Sequence, residues 1–181
     1  MGRELHKENA IAHIRAKSFD SRCGCGDGRH TILIERNGGR AIGIDLSKNI
    51  LKEAKSLYPN GDFREMDMRK LSFDNEFFDG IWSSGSIYNV TKPNIKKVIK
   101  ESKRILKTDG VIAVNFKLGQ GEGLQANPKS YSGSPRYFAY YTKEEIKDIF
   151  TSFGFEELDS CTYPEEMFGE KNQMMWFRGS V

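Results

Sequence analysis

The sequence predicts an α/β fold, with one mostly parallel seven-stranded sheet, a terminal antiparallel strand, and helices on both faces. Two observations carry this. Short apolar runs alternate with amphipathic stretches in a regular rhythm, the signature of βα units. A glycine-rich turn, Cys23 to Gly28, leads straight from the first run into the first amphipathic stretch. With 181 residues, 38% of them hydrophobic, the chain has room for one domain with its own core, 1–181, and not comfortably for two.

The elements follow in order. Leu5, Ala10, Ile11 and Ile14 mark an N-terminal helical segment over 1–17. The run Lys17 to Ser21 before the glycine turn is a poor buried strand, the weakest element of the series. Arg29 to Arg36 reads as a helix stopped by Gly38 and Gly39, and Arg40 to Asp45 as a short strand with β-favouring Ile42 and Ile44. Ser47 is placed to cap a helix whose Ile50, Leu51, Ala54 and Leu57 share one face, ended by Pro59, Asn60 and Gly61. Asp62 to Met66 and Phe78 to Ser84 are the next strands. Pro93 opens a longer helix carrying Ile95, Val98, Ile99, Ser102, Ile105 and Leu106 at helical spacing, ending at Asp109-Gly110. Gly110 to Lys117 is the most strand-like run of all, and Thr142 with Glu145 forms a capping box for a helix stopped by Gly154. Phe155 to Cys161 and Asn172 to Arg178 close the sheet as an antiparallel pair.

Composition narrows the classes. No stretch approaches the roughly 18 apolar residues a membrane helix needs, and the charged N-terminus has no secretory pattern, so a cytoplasmic protein without membrane contact is expected. Three cysteines, two of them one residue apart, make no disulfide framework. A metal set from His13, Cys23, Cys25 and His30 is disfavoured by the Cys-x-Cys spacing, and no metal is expected. The net charge of +3 argues for no polyanionic partner by itself. Seven basic residues stand against one acid from Lys92 to Lys107, and they read as the solvated outer face of the helix there.

The chemistry sits in Cys23-Gly24-Cys25-Gly26-Asp27-Gly28, followed 17 residues after Gly28 by Asp45 at the tip of the second strand. Glycines let backbone approach a ligand closely, and a carboxylate at that tip can accept hydrogen bonds from two ribose hydroxyls. The pattern reads as a nucleoside-containing cofactor. A dinucleotide fingerprint would need glycine where Arg29 stands, and no P-loop pattern is present.

The glycine turn, Gly43-Ile44-Asp45, Asp67-Met68 before Leu71 and Phe73, Phe78 to Ser84, and Arg104 to Gly110 together resemble the successive motifs of the class I, Rossmann-like S-adenosylmethionine-dependent methyltransferases. The match covers about residues 18 to 118, with Tyr141 to Phe155 similar to a later helix and strand. It implies a three-layer sandwich and S-adenosylmethionine as cofactor, with S-adenosylhomocysteine as product. By position, Gly24, Gly26 and Gly28 would lie against the methionine and ribose, and Asp45 with the adjoining Leu46 would hold the ribose. Asp67 and the Met68 backbone would meet the adenine edge, and Ser83 and Ser84 the methionine amino group. One position departs from the family: its acidic residue two before the first glycine is Arg22 here, with Asp20 on the same face about 6–7 Å further back.

Methyl transfer from a sulfonium is an in-line displacement that relies on positioning, so no universal catalytic residue carries over. The proline-rich motif of exocyclic-amine methylases is absent, since Ser83 to Ser86 take its place. Acceptor recognition falls to the segments left over: the N-terminal helix, the loop at Ile87, Tyr88 and Asn89, and the segment 119–141. That long Gly- and Ser-rich segment, holding Tyr131, Arg136, Tyr137, Phe138, Tyr140 and Tyr141, reads as a lid or substrate wall. Tyr88, Lys117, Arg136, Tyr137 and Tyr140 are the candidate acceptor residues. A small-molecule acceptor is the leading reading. Two others remain: an RNA modifier, because Arg136 to Ile146 resembles the late region of tRNA wobble-uridine methyltransferases, and a non-catalytic methyltransferase-like subunit.

Overall fold

The computed structural model describes residues 20–126, 135–163 and 171–179, with side chains described from residue 24 onward. The N-terminal segment 1–17, the side chains of Asp20, Arg22 and Cys23, and Tyr131 lie outside the described residues.

The elements alternate as the rhythm requires. They run β1 (Asp20–Cys23), α1 (Arg29–Arg36), β2 (Ala41–Asp45), α2 (Lys48–Leu57), β3 (Asp62–Glu65), β4 (Phe78–Ser83), a 3-10 turn (Ile87–Asn89), α3 (Lys92–Ile105), β5 (Leu106–Leu118), β6 (Glu122–Gln125), β7 (Arg136–Tyr141), α4 (Lys143–Ser152), β8 (Phe155–Tyr163) and β9 (Asn172–Gly179). β3, β2, β1, β4 and β5 lie side by side and parallel. β9 then runs antiparallel along β5 from Val111 to Lys117, and β8 pairs antiparallel with β9. Seven strands are thus placed as expected, with the closing antiparallel pair. β1 pairs on both edges, Arg22 opposite Gly43 on one side and Trp82 on the other, so this poor apolar run is held by backbone bonding.

Two corrections concern the sheet. Among the described residues it has nine strands, because the segment expected to be a loop carries β6 and β7, an antiparallel pair whose Tyr140 and Tyr141 pair parallel with Lys117 and Leu118. The aromatic run Arg136–Tyr141 is rich in β-favouring residues and buries Phe138, Ala139 and Tyr141 while Arg136 stays exposed. The long helix also stops at Ile105 and not at Asp109-Gly110. Its last carbonyls are taken by the chain before β4: Glu76 N–H donates to Arg104 O at 2.9 Å and Phe77 N–H to Ile105 O at 2.8 Å. Leu106 then pairs with Phe78, and a bulge at Lys107–Gly110 absorbs the excess residues, with Asp109 left-handed at φ 61°.

The core divides by face. Ile95, Ile99 and Ile105 of α3 and Ile146 and Phe150 of α4 cover one face of the sheet, against Ile81, Ile112, Val114, Phe116 and Phe177. On the other face α2 lays Leu51 and Ala54 on Phe63 and Cys25, and His30 of α1 sits 6.1 Å from the ring of Trp82. Lys96, Lys97 and Lys100 are exposed on the outer side of α3. No helix among the described residues is long and apolar enough to cross a membrane.

Candidate active site

A cleft of about 420 Å³ opens at the carboxyl ends of the parallel strands. It is lined from β1 outward by Gly24 and Gly26, from β2 by Ile44, Asp45, Leu46 and Ser47, and from beyond β3 by Met66 to Arg69. Gly85, Ser86 and Asn89 to Thr91 come from the loop after β4, Ile50 from α2 and Arg136 from β7. Of the residues expected around a cofactor, Gly24, Gly26, Asp45, Leu46, Asp67 and Met68 meet here. Gly28, Ser83 and Ser84 stand outside the lining.

Each glycine of the turn answers a different constraint. A Cβ on Gly24 would stand 2.2 Å from Ser86 Cβ, so the turn and the loop after β4 touch only because Gly24 has none. Gly26, at φ 54°, has only Ile50 Cδ1 within 4 Å of a built Cβ, so its requirement is conformational. Gly28 begins α1 at φ 82° and packs on Phe63, whose ring a Cβ would meet at 2.5 Å.

Asp45 ties the turn to β2. Its Oδ2 accepts from Gly26 N–H at 3.1 Å and its Oδ1 from Ser47 N–H at 3.0 Å, and each oxygen keeps further acceptor capacity in a residue that lines the cleft. Asp67 is engaged differently: Arg69 grips it with Nε and a terminal nitrogen at 2.6 Å, and the Arg69 N–H donates to Oδ1 at 2.8 Å. The Arg69 hydrogen bond holds the Asp67 carboxyl below the usual aspartate range, against a smaller opposing effect of burial. Ser83 is buried and shares a 2.9 Å hydroxyl contact with Ser86, so the serine that reaches the cleft is Ser86. Leu46 is 60% exposed at the cleft, an apolar side chain kept in solvent where a flat ligand would cover it.

The acceptor candidates occupy the β5 and β7 side. Lys117 is 7% exposed, its ammonium 4.2 Å from the centroid of Phe138, 5.2 Å from Tyr88 and 6.0 Å from Tyr140. Arg136 alone of the five lines the cleft. Tyr137 and Tyr140 point their hydroxyls within the hairpin, to the Glu122 carboxylate and to Gln125 Oε1 at 2.8 Å. Glu122 also accepts from Lys92 N–H at 2.6 Å, capping α3 where the Thr91 side chain makes no cap. Sequence reasoning missed Arg69, Ser86, Thr91 and Glu122. Arg69 had a readable signal, its basic charge two residues from Asp67; the others depend on long-range contacts.

A family model described as a methyltransferase domain matches residues 22–114. A ubiquinone/menaquinone biosynthesis C-methyltransferase of Campylobacter jejuni is 30% identical over 170 residues, covering 79% of this chain and 72% of that protein. The first curated relatives are longer, and the chain spans 42% and 43% of their lengths. Among solved structures, an S-adenosylmethionine-dependent methyltransferase of Methanosarcina mazei superposes with a TM-score of 0.82 at 18% identity, over 94% of this chain and 97% of that one. The 1,6-didemethyltoxoflavin-N1-methyltransferase of Burkholderia thailandensis, with 1,6-didemethyltoxoflavin and S-adenosylhomocysteine bound, gives 0.76 at 20% identity, over 99% and 83%. With the ordered motifs and the sheet order, these matches show that the chain belongs to the class I, Rossmann-like S-adenosylmethionine-dependent methyltransferases.

Proposed function

We propose that this protein transfers a methyl group from S-adenosylmethionine to a small-molecule acceptor in the cleft at the strand ends. The observation that carries the reading is the convergence of Gly24, Gly26, Asp45, Leu46, Asp67 and Met68 on one cavity, at the edge where open α/β sheets take their ligands. Asp45, already fixed by two backbone N–H groups, accepts from the ribose hydroxyls without reorganising. Leu46 and Met68 flank the adenine, and Asp67 and the Met68 backbone meet its edge. Gly24 and Gly26 leave room for the methionine part, and Ser86 takes the place expected for Ser83 and Ser84 beside its amino group.

When bound, S-adenosylmethionine supplies an electrophilic methyl on a sulfonium. The chain then has to hold the acceptor in line and keep water out, and no general base is needed for an unprotonated nucleophile. The hairpin β6–β7 is the element available for this, since it brings Arg136 to the cleft. A cavity of about 420 Å³ is in the size range of a single small-molecule site. The relatives agree in kind: one is named for ubiquinone/menaquinone biosynthesis, and one holds 1,6-didemethyltoxoflavin.

The test is methyl transfer from labelled S-adenosylmethionine into two fractions of a cell extract, the ultrafiltrate and the purified RNA. Label is expected in the ultrafiltrate. Label confined to RNA would overturn the small-molecule reading, and label in neither would favour a non-catalytic subunit.

A further inference from the structure

Strand order sets the charges around the cleft. Its two carboxylates stand on one side, Asp45 at the end of β2 and Asp67 beyond β3. Arg136 enters from β7, which pairs with β5 on the far side of β1 and β4. The Arg136 charge reaches the Tyr88 hydroxyl, whose pKa burial pushes up and the guanidinium partly brings back. Behind Tyr88 stands Lys117, almost out of solvent and faced by three aromatic rings. The rings fix the ammonium in position, and with so little water nearby its field carries further than that of a surface lysine. With Asp67 paired to Arg69, the end of the cleft around Asp45 is net anionic, and the end at Arg136 is cationic, with the rings of Tyr88, Phe138 and Tyr140 behind the lining.

We propose that the acceptor bears a carboxylate, which the Arg136 guanidinium grips at the end of the cleft away from Asp45. This rests on the cofactor reading above, in which the Asp45 and Asp67 end holds the nucleoside and leaves the cationic end to the acceptor. A guanidinium matches a carboxylate with two parallel N–H donors, so the contact orients as well as holds. The carboxylate is a handle and does not react. A lone pair elsewhere on the acceptor forms the new bond to the methyl carbon and the carbon–sulfur bond breaks with its electron pair going to sulfur. The cofactor leaves as the neutral thioether S-adenosylhomocysteine, and any proton on the nucleophile goes to water. The rival use of Arg136 is to hold the carboxylate of the cofactor's own amino-acid end.

Calorimetry on the full chain separates the two. The probes are 2-naphthoate and its neutral isostere 2-naphthamide, each titrated with and without S-adenosylhomocysteine, beside S-adenosylhomocysteine and methylthioadenosine alone. The naphthoate is expected to bind about tenfold or more tighter than the amide, the worth of one charge-assisted contact. Arg136 is exposed, so Arg136→Gln carries the test without a folding cost; it is expected to bring the pair within about twofold while S-adenosylhomocysteine still binds. Equal affinities for the two probes in the unaltered protein would overturn the proposal. So would an Arg136→Gln variant that weakens S-adenosylhomocysteine but not methylthioadenosine and keeps the naphthoate preference. Failure of S-adenosylhomocysteine to bind while naphthoate is still preferred would instead overturn the cofactor reading.

Discussion

At the scale of the residue, positions that look alike in the sequence carry unlike burdens. Gly24→Ala pushes a methyl into Ser86 and forces a left-handed alanine, whereas Gly26→Ala meets only the conformational cost of about 1–2 kcal/mol. Urea unfolding is expected to show the Gly24 variant clearly the less stable of the two. Equal losses would mean that the contact with Ser86 does not constrain the turn. Glu101 gives the pH dependence. Its carboxylate accepts from Leu71 N–H at 2.8 Å and pairs with Arg104, whose guanidinium also donates to the carbonyls of Leu71 and Phe73 at 2.8 and 2.7 Å. The Arg104 hydrogen bond holds the Glu101 carboxyl below the usual glutamate range. A depressed folded pKa stabilises above the unfolded value of about 4.3, and that stability is lost as pH falls through the folded value. Glu101→Gln is therefore expected to cost about 1–3 kcal/mol at pH 7, toward the lower end because the pair is partly exposed. The gap to the unaltered protein closes in strong acid, and a gap that persists there would refute the assignment. Asp45 was legible because its place is fixed by spacing from the glycine turn. Ser86 was not, because its access to the cleft depends on Ser83 being buried beneath it.

At the scale of the element, local signals set most boundaries and tertiary contacts set the rest. The Thr142–Glu145 capping box and the Ser47 cap stand where the sequence places them, because each is made within four residues. The end of α3 is not local: Leu106 continues the helical spacing, yet the N–H groups of Glu76 and Phe77 claim the last carbonyls. The hairpin β6–β7 was read as a loop for a related reason. β6 has only four residues, follows Gly121 and contains Gly123, and Glu122, an acid with no local signature, fastens the hairpin to the first turn of α3. The Lys92 N–H and then Tyr137 hold the Glu122 carboxyl below its usual range, and Tyr137 is pushed up to about 12 by desolvation and then by Glu122. Glu122→Ala is expected to leave thermal unfolding nearly unchanged and to raise the rate of proteolytic cleavage in 119–141 several-fold. Glu122→Gln, which keeps an acceptor for the Lys92 N–H, is expected to fall between. Cleavage unchanged in both would show that the hairpin is held by its pairing with β5 alone.

At the scale of the molecule, the mostly parallel sheet and the antiparallel closing pair were legible because runs such as Ala41–Asp45 and Phe78–Ser83 are apolar and bounded by turn residues, whereas β1 and β3 are largely polar and take their places by pairing. The side of the cleft proposed to hold the cofactor was legible in part, since Gly24, Gly26, Asp45, Asp67 and Met68 stand at the ends of those strands and line one cavity. The acceptor side was legible only as composition, a cluster of aromatic and basic residues in 119–141, because a fold-level pattern does not encode where a hairpin lands. Among the described residues the cofactor fold takes up most of the chain, and the proposed acceptor contacts fall on one hairpin and one loop. The most direct measurement is calorimetric titration of the full chain and of Asp45→Ala with S-adenosylhomocysteine. One molecule is expected to bind per chain. The substitution removes a charged acceptor worth about 1.5–3 kcal/mol and should weaken binding about tenfold or more. Absence of heat at millimolar ligand, or equal affinity in the two proteins, would contradict the cofactor site built around Asp45.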